Sequence, residues 1–519
     1  MKTLLRALPE QRGYALGALA GIFASALLVL MARRLMDHVP LYDELLHILA
    51  ARGIVAHGEP SIGTGLYSRA SFFTFLVAHA LKDFGDTLVS ARIPSLVATV
   101  GLVVASAVWV TRRAGLLAGV TAAVLLVAIP STLELAVFVR FYTLHALVVI
   151  AMAITAYEAA APDRSKISRA ALILLVLLFA ALGWHLQPTT LVAAGALILG
   201  CAALVAFDHW PRVAEIIRQY PGRLLALAIV LMVGGVVAIK VTGLQSLGEA
   251  PLWAAWVADK PSYYLTQIAK GMPLWWPLFP VAVVIGLFGQ QRRFVLFCVV
   301  VAVSALAVHS IAPAKSIRYV YYVFPFIAAV WGCALAAIYA HARRTTTNAP
   351  EMAGLGVLAL AAITFVISVE GQRIAREITG KAAVSEALSY AVEANWTAAV
   401  PALKPLLTST SRIVTSNAMK SIYYLGRYDY ELNASIVPET ETGEEFGIDS
   451  RTGEKAIAAS ASVQQVLAMP GSTLVVLEEE KLNLPSGVPA ESLAVVEAQC
   501  TSVVLPANVG VRAWSCART

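Results

Sequence analysis

Apolar runs long enough to cross a bilayer recur along most of this chain, and that feature excludes nearly every other architecture. A helix rises about 1.5 Å per residue, so roughly 17 to 22 apolar residues cover a hydrocarbon core of about 30 Å. Such runs fall near 13–31, 93–110, 114–130, 139–160, 170–186, 190–207, 223–240, 273–289, 294–311, 319–340 and 353–369. About eleven transmembrane helices are therefore expected. Composition agrees: 14% of the 519 residues are charged, against about 25% in soluble domains, and the mean hydropathy is +0.74. The first run, GYALGALAGIFASALLVLM, has the length to span and stay, and no short signal peptide with a small-residue cleavage site is evident.

The net charge of +7 finds its explanation in topology, and no nucleic-acid partner is expected. With the N-terminus inside, the loops that face the cytoplasm read TRRAG, DRSKISR, DHWPRVAEIIRQYPGR, GQQRRF and HARRTTT. Each is basic, as the positive-inside bias requires. Arg33 and Arg34 fall on the other side and read as a headgroup-facing pair. This orientation puts 32–92, 241–272 and everything after about 370 on the outer face.

The first outer segment carries LYDELLHILAARGIVAHG, with apolar residues at helical spacing, and reads as a helix lying along the interface. RASFFTFLVAHALKDFG is short for a span and reads as a juxtamembrane or re-entrant helix. Asp43 and Glu44 sit side by side at the membrane exit, where a general base could meet a lipid-borne substrate. A solvated or capping pair is the plainer reading of such acids. The turn STLELAVFVRFYTLHAL holds Arg140, Tyr142 and His145 near the mouth of a span, where charge is costly unless it faces a cavity or a partner. HSIAPAKSIRYVYYVFP offers Lys315, Arg318 and Tyr319, which read either as a phosphate clamp or as an aromatic belt with snorkelling cations. GWHLQPTT adds His185 in a tight outer turn.

Past residue 370 the hydropathy falls to that of a soluble domain. RIVTS, STLVVLEE, AVVEA and VGVRAW read as strands, and SNAMKSIYYLGR as a helix that Ser416 could cap. The expected division is a membrane module over 1–370 and a small extracytoplasmic α/β domain over 371–519. Cys500 and Cys516 are the only cysteines in the latter and form a disulfide candidate, with two unpaired core thiols as the alternative.

The ordered set of one span, an outer loop with YDE, FGDTLVSARIPS leading into the second span, VRFYTLHAL, SIRYVYYVFP and the tail motifs TSNAMKSIYYLGRYDYEL and DSRTGEKAI resembles the GT-C superfamily of polytopic glycosyltransferases. The resemblance is to the branch of protein mannosyltransferases and the aminoarabinose transferase of lipid A. It implies an inverting transfer from a polyprenyl-phosphate sugar to an acceptor hydroxyl on a glycan, a lipid or a protein, at the periplasmic side of a bacterial inner membrane. It places the catalytic acid on Asp43 with Glu44 beside it, and donor-phosphate contacts on Arg140 with Tyr142 and on Arg318 with Tyr319, Lys315 joining them. Many members carry a basic K/H-P-P-L segment where this chain has GLYSRASFF, so Arg69 stands in that place. His57, Glu59, His145 and His185 are further substrate-binding candidates.

No cofactor is required by this chemistry. A divalent metal is not favoured, since Lys and Arg can neutralise phosphate and no HExxH or paired-Cys pattern occurs; Glu44, His47, His57 and Glu59 are the residues that could ligate one. Membrane lipids are partners by location, and a monomer is expected. The rival is a transporter or flippase of lipid-linked saccharides, which calls for essential charges at mid-bilayer.

Overall fold

A computed structural model describes residues 2–219, 255–346, 349–384, 393–436, 446–484 and 486–517. The expected span near 223–240 lies outside these. Among the described residues eight helices are long and apolar enough to cross a membrane, from Gly13–Ala32 to Pro350–Ile367. The run expected at 114–130 continues into a bent pair, Leu116–Ala128 and Pro130–Ala136, that turns by 69°. The run expected at 273–289 supplies a shorter apolar helix, Phe279–Phe288. The chain is a multi-pass membrane protein. Lys166–Leu186 and Pro350–Ile367 keep only 6% of their apolar windows buried, an outward face of leucine and isoleucine that lipid tolerates and water does not.

Contacts divide the described chain into two compact units. The first comprises 1–34, 95–137 and 141–383; the second comprises 35–94, 138–140 and 384–519. A single cut at 370 does not describe this partition, because the first outer segment groups with the C-terminal sheet.

In the first unit, small residues set the closeness of the helices, as is usual where lipid removes the hydrophobic drive to associate. Gly332 of Phe324–Thr345 lies against the backbone of Ala118 with no room for a Cβ, and Gly21 does the same against Val104. Trp109 packs edge-on to Phe294, with ring centroids 4.9 Å apart. At the end of this bundle Glu158 pairs with Arg113 and Arg164.

In the second unit, α1 (Tyr42–His57) and α2 (Ser71–Phe84) flank a hairpin of β1 (Ser61–Ile62) and β2 (Gly65–Leu66). The 14-residue α2 is too short to span, as the sequence implies. The sheet contains β3 (Arg412–Thr415), β4 (Tyr430–Leu432), β5 (Gly447–Ile448), β6 (Lys455–Ile457), β7 (Thr473–Glu478), β8 (Thr501–Val503) and β9 (Val511–Cys516). Its order is β5-β6-β4-β3-β7-β9-β8. The four central strands run parallel, and β5, β9 and β8 add antiparallel edges. Every residue of β7 is buried, as expected of a parallel strand covered on both faces. Val475, Leu477 and Trp514 belong to one core cluster, and Leu474, Val476 and Trp396 to another. Cys500 and Cys516 are joined as a disulfide.

Two local readings are corrected. AVVEA is part of a helix, Ala490–Gln499, because Ser492, Leu493 and Val496 bury one face at helical spacing; packing overrides the β preference of its valines. The helix Ala418–Leu425 is capped by Asn417, whose side chain accepts the Lys420 N–H at 3.1 Å. Ser416 instead accepts the N–H of Glu478 at 2.8 Å, which ties that turn to β7.

Candidate functional site

Asp43 and Glu44 occupy the first turn of α1, where backbone N–H groups favour negative charge. Successive helical residues point about 100° apart, so the two acids have different surroundings. Glu44 turns inward and is fully buried. Its Oε2 accepts from the Leu41 N–H at 2.9 Å and from Arg92 Nη2 at 2.9 Å. Its Oε1 accepts from Arg92 Nε and from the Val139 N–H, both at 3.0 Å. Arg92 in turn donates from Nη1 to the carbonyls of Leu35 and Met36. One carboxylate thus fastens the helix start, the segment before it and the 138–140 turn.

Asp43 turns the other way, and its side chain is 31% exposed. The buried Arg140 stands beside it, with Nη2 at 3.7 Å from Oδ1 and Nη1 donating to the Asp43 carbonyl at 3.2 Å. Arg140 Nη1 also donates to the Tyr67 hydroxyl at 3.1 Å. The hydroxyl also lies 3.5 Å from His47 Nε2. His47 Nδ1 in turn lies 2.9 Å from the Thr74 hydroxyl, so the ring is held between the two. Burial, with Arg140 and Arg69 adding to it, holds His47 well below the usual histidine range, so the ring is neutral. Burial also raises the Tyr67 phenol against the pull of Arg140. The exposed Arg69 contributes positive charge to both groups.

The hairpin that brings Tyr67 here depends on a close approach: Gly53 of α1 lies against the backbone of Ser61 with no room for a Cβ. The tail motif DSRTGEKAI supports the same hairpin, since the Thr452 carbonyl accepts from Thr64 and Gly65, both at 2.8 Å.

In the first unit, Arg318 lies over the Tyr142 ring at 5.7 Å and donates from Nε to Ser316 at 3.1 Å. The rings of Tyr142 and Tyr319 are 6.1 Å apart. Lys315 donates to the Ala258 carbonyl at 2.6 Å, and burial lowers its ammonium against the charge of Asp259. A guanidinium thus lies against one aromatic ring with a second ring next to that, a setting from which it can reach an anion such as phosphate.

The fold has counterparts among solved structures. ArnT from Cupriavidus metallidurans bound to undecaprenyl phosphate aligns over 96% of this chain and 99% of that one, at 14% identity and a TM-score of 0.61. Its apo state gives 15% identity and 0.63, over 96% and 98% of the two chains. The archaeal oligosaccharyltransferase AglB from Archaeoglobus fulgidus, in complex with an inhibitory peptide and a dolichol-phosphate, aligns over 94% of this chain and 72% of its own, at 12% identity and 0.57.

The chain has the GT-C fold.

No family model and no curated protein matches the sequence. Within the GT-C fold, the predicted residues fall into separate groups. Asp43, Glu44 and Arg140 come together in one unit, with Arg69 influencing the same groups. Tyr142, Arg318 and Tyr319 come together in the other. His57 and Glu59 are exposed at the far end of α1, roughly 20 Å along its axis from Asp43. His145 is buried and bonds to Thr190 at 2.9 Å, a histidine satisfied between helices. His185 is exposed at the end of Lys166–Leu186. Among the described residues no three His, Cys, Asp or Glu side chains gather as a metal site. Sequence reasoning missed Tyr67, the orienting role of His47, and Arg92. Arg92 lies within the FGDTLVSARIPS motif and Tyr67 within GLYSRASFF, so both stood in stretches the sequence had already marked out, without a sign of their partners.

Proposed function

We propose that this protein is an inverting glycosyltransferase that moves a sugar from a polyprenyl-phosphate carrier to an acceptor hydroxyl at the outer face of a bacterial cytoplasmic membrane. The observation that carries the reading is the contrast between the neighbouring acids: Glu44 is wholly committed, while Asp43 is partly open beside a buried arginine. Asp43 takes the proton of the acceptor hydroxyl. The oxygen attacks the anomeric carbon from the side opposite the leaving group, the bond from that carbon to the phosphate oxygen breaks, and polyprenyl phosphate departs with the electron pair.

Phosphate is a good leaving group, so one base suffices without a partner acid. Fixed cations aimed at the developing charge lower the barrier more than water does. Arg140 is assigned that role beside Asp43, and Arg318 with Lys315, near Tyr142 and Tyr319, is assigned separately as a phosphate contact. Glu44 acts as a positioning residue, and His145, bonded to Thr190, is assigned a structural role. The membrane module is assigned to 1–370 and the extracytoplasmic domain to 371–519, with the 35–94 segment serving the site. Binding of undecaprenyl phosphate by ArnT and of dolichol-phosphate by AglB, on the same fold, supports the donor class.

The test is consumption of radiolabelled polyprenyl-phosphoryl sugar by purified protein in proteoliposomes with acceptor present. Asp43→Asn retains shape and loses basicity, so transfer should slow by roughly 10²–10⁴. Transfer at the wild-type rate would overturn the assignment.

A further inference from the structure

A cavity in the unit that holds Asp43 is unaccounted for by the transfer chemistry. It has a volume of about 310 Å³, and its lining includes Tyr42, Asn417, Lys420, Asn433, Arg451 and Glu480. That volume sits at the lower end of the roughly 300–1,000 Å³ of ligand pockets and suits about one or two sugar rings.

Apart from the exposed Glu480, the charges around it are paired with one another. Lys420 bonds to Glu478 and to Glu393, each at 2.8 Å. Arg451 bonds to Asp449 at 2.7 Å and to Glu431 at 2.8 Å. Lys481 lies 3.5 Å from Glu478 and donates to the Ser416 carbonyl at 2.9 Å. A phosphate or carboxylate would have to break one of these buried pairs, which costs more than a surface contact returns. An apolar chain would leave donors and acceptors without partners on the wall. A neutral ligand bearing many hydroxyls both donates and accepts, and disturbs neither pairing.

Tyr42 lines the cavity, and its hydroxyl has no hydrogen-bond partner among the described residues. The hydroxyl itself is covered, so it meets a ligand hydroxyl when the ring turns toward the cavity, and that contact supplies the partner it lacks. Tyr42 immediately precedes Asp43 on α1, so the cavity wall and the proposed base are consecutive residues.

We infer that this cavity is a saccharide subsite that holds the acceptor glycan, with the Tyr42 hydroxyl bonding a sugar hydroxyl. The acceptor role rests on the transferase reading; saccharide binding itself does not.

Full-length protein in nanodiscs, titrated with maltotriose, mannotriose and chitotriose and read by saturation-transfer NMR, tests the inference. At least one trisaccharide should bind saturably, and Tyr42→Phe should weaken it roughly three- to tenfold. Glu480→Gln, at an exposed position, should weaken it too while retaining the wild-type melting temperature. No saturable saccharide binding, preferential binding of inorganic phosphate, or an affinity unmoved in both variants would overturn the subsite. Donor consumption separates the two readings. A protein that binds the saccharide but never consumes polyprenyl-phosphoryl sugar refutes the transferase and the acceptor role, whereas one that consumes donor but ignores all three saccharides refutes only the subsite.

Discussion

Adjacent acids at residues 43 and 44 have opposite fates because one helical step rotates a side chain from solvent to core. The Glu44 carboxylate fills its acceptor sites with an arginine fork and two backbone N–H groups, whereas Asp43 shares a rim with Arg140. Glu44→Gln therefore removes one partner of a buried pair and leaves Arg92 uncompensated, a loss of roughly 3–5 kcal/mol. The expected outcome is a lower melting temperature and poor recovery of folded protein, with donor KM unchanged in the fraction that folds. A selective loss of kcat at wild-type stability would place Glu44 in the chemistry. Both acids were legible in the sequence as a pair at the membrane exit. Their division of labour was not, since it depends on Arg92, 48 residues away, and Val139, 95 residues away.

At the scale of elements, the C-terminal sheet carries a buried ionic layer along β4, β7 and the loop that follows β5. Burial pushes the Glu431 carboxyl up to about 8, against the pull of Lys481 and with Asp449 adding to the rise. Burial raises Asp449 and Glu393 as well, Arg451 and Lys420 opposing them respectively. A carboxyl raised on folding holds its proton more tightly folded than unfolded. Its contribution to stability is complete below the unfolded value of about 4.5 and is lost as pH climbs toward 8. Glu478 is lowered, through Lys481 and Lys420, and its contribution is lost only below about pH 4.5. The melting temperature should therefore fall between pH 5 and pH 8, and Glu431→Gln should flatten that slope. An identical slope in the variant would show that Glu431 is ionised throughout. Strands β3, β7 and β9 were readable from apolar runs, whereas AVVEA was misread, since a short run rich in valine fits either period and only packing decides.

At the scale of the whole molecule, the basic loops predict a direction through the bilayer. Cysteine placed at Asp163, in the DRSKISR loop, should resist a membrane-impermeant maleimide in intact cells and label only after lysis. Cysteine placed at Lys404, in the C-terminal unit, should label in intact cells; both positions are exposed. The reverse pattern would invert the orientation and with it the outer-face assignment. Spans, basic loops, the paired acids and the order of the motifs were determined by the sequence alone, because hydropathy and charge act locally and their periods are written in consecutive residues. Tertiary structure decided which acid is open, that His47 sits between Tyr67 and Thr74, that Tyr67 meets Arg140 across 73 residues of chain, and that Tyr42 and residues of the C-terminal segment line one polar cavity. Those outcomes rest on hydrogen bonds between distant segments, and a bond of that kind has a direction and a length only after the backbone has brought both ends together.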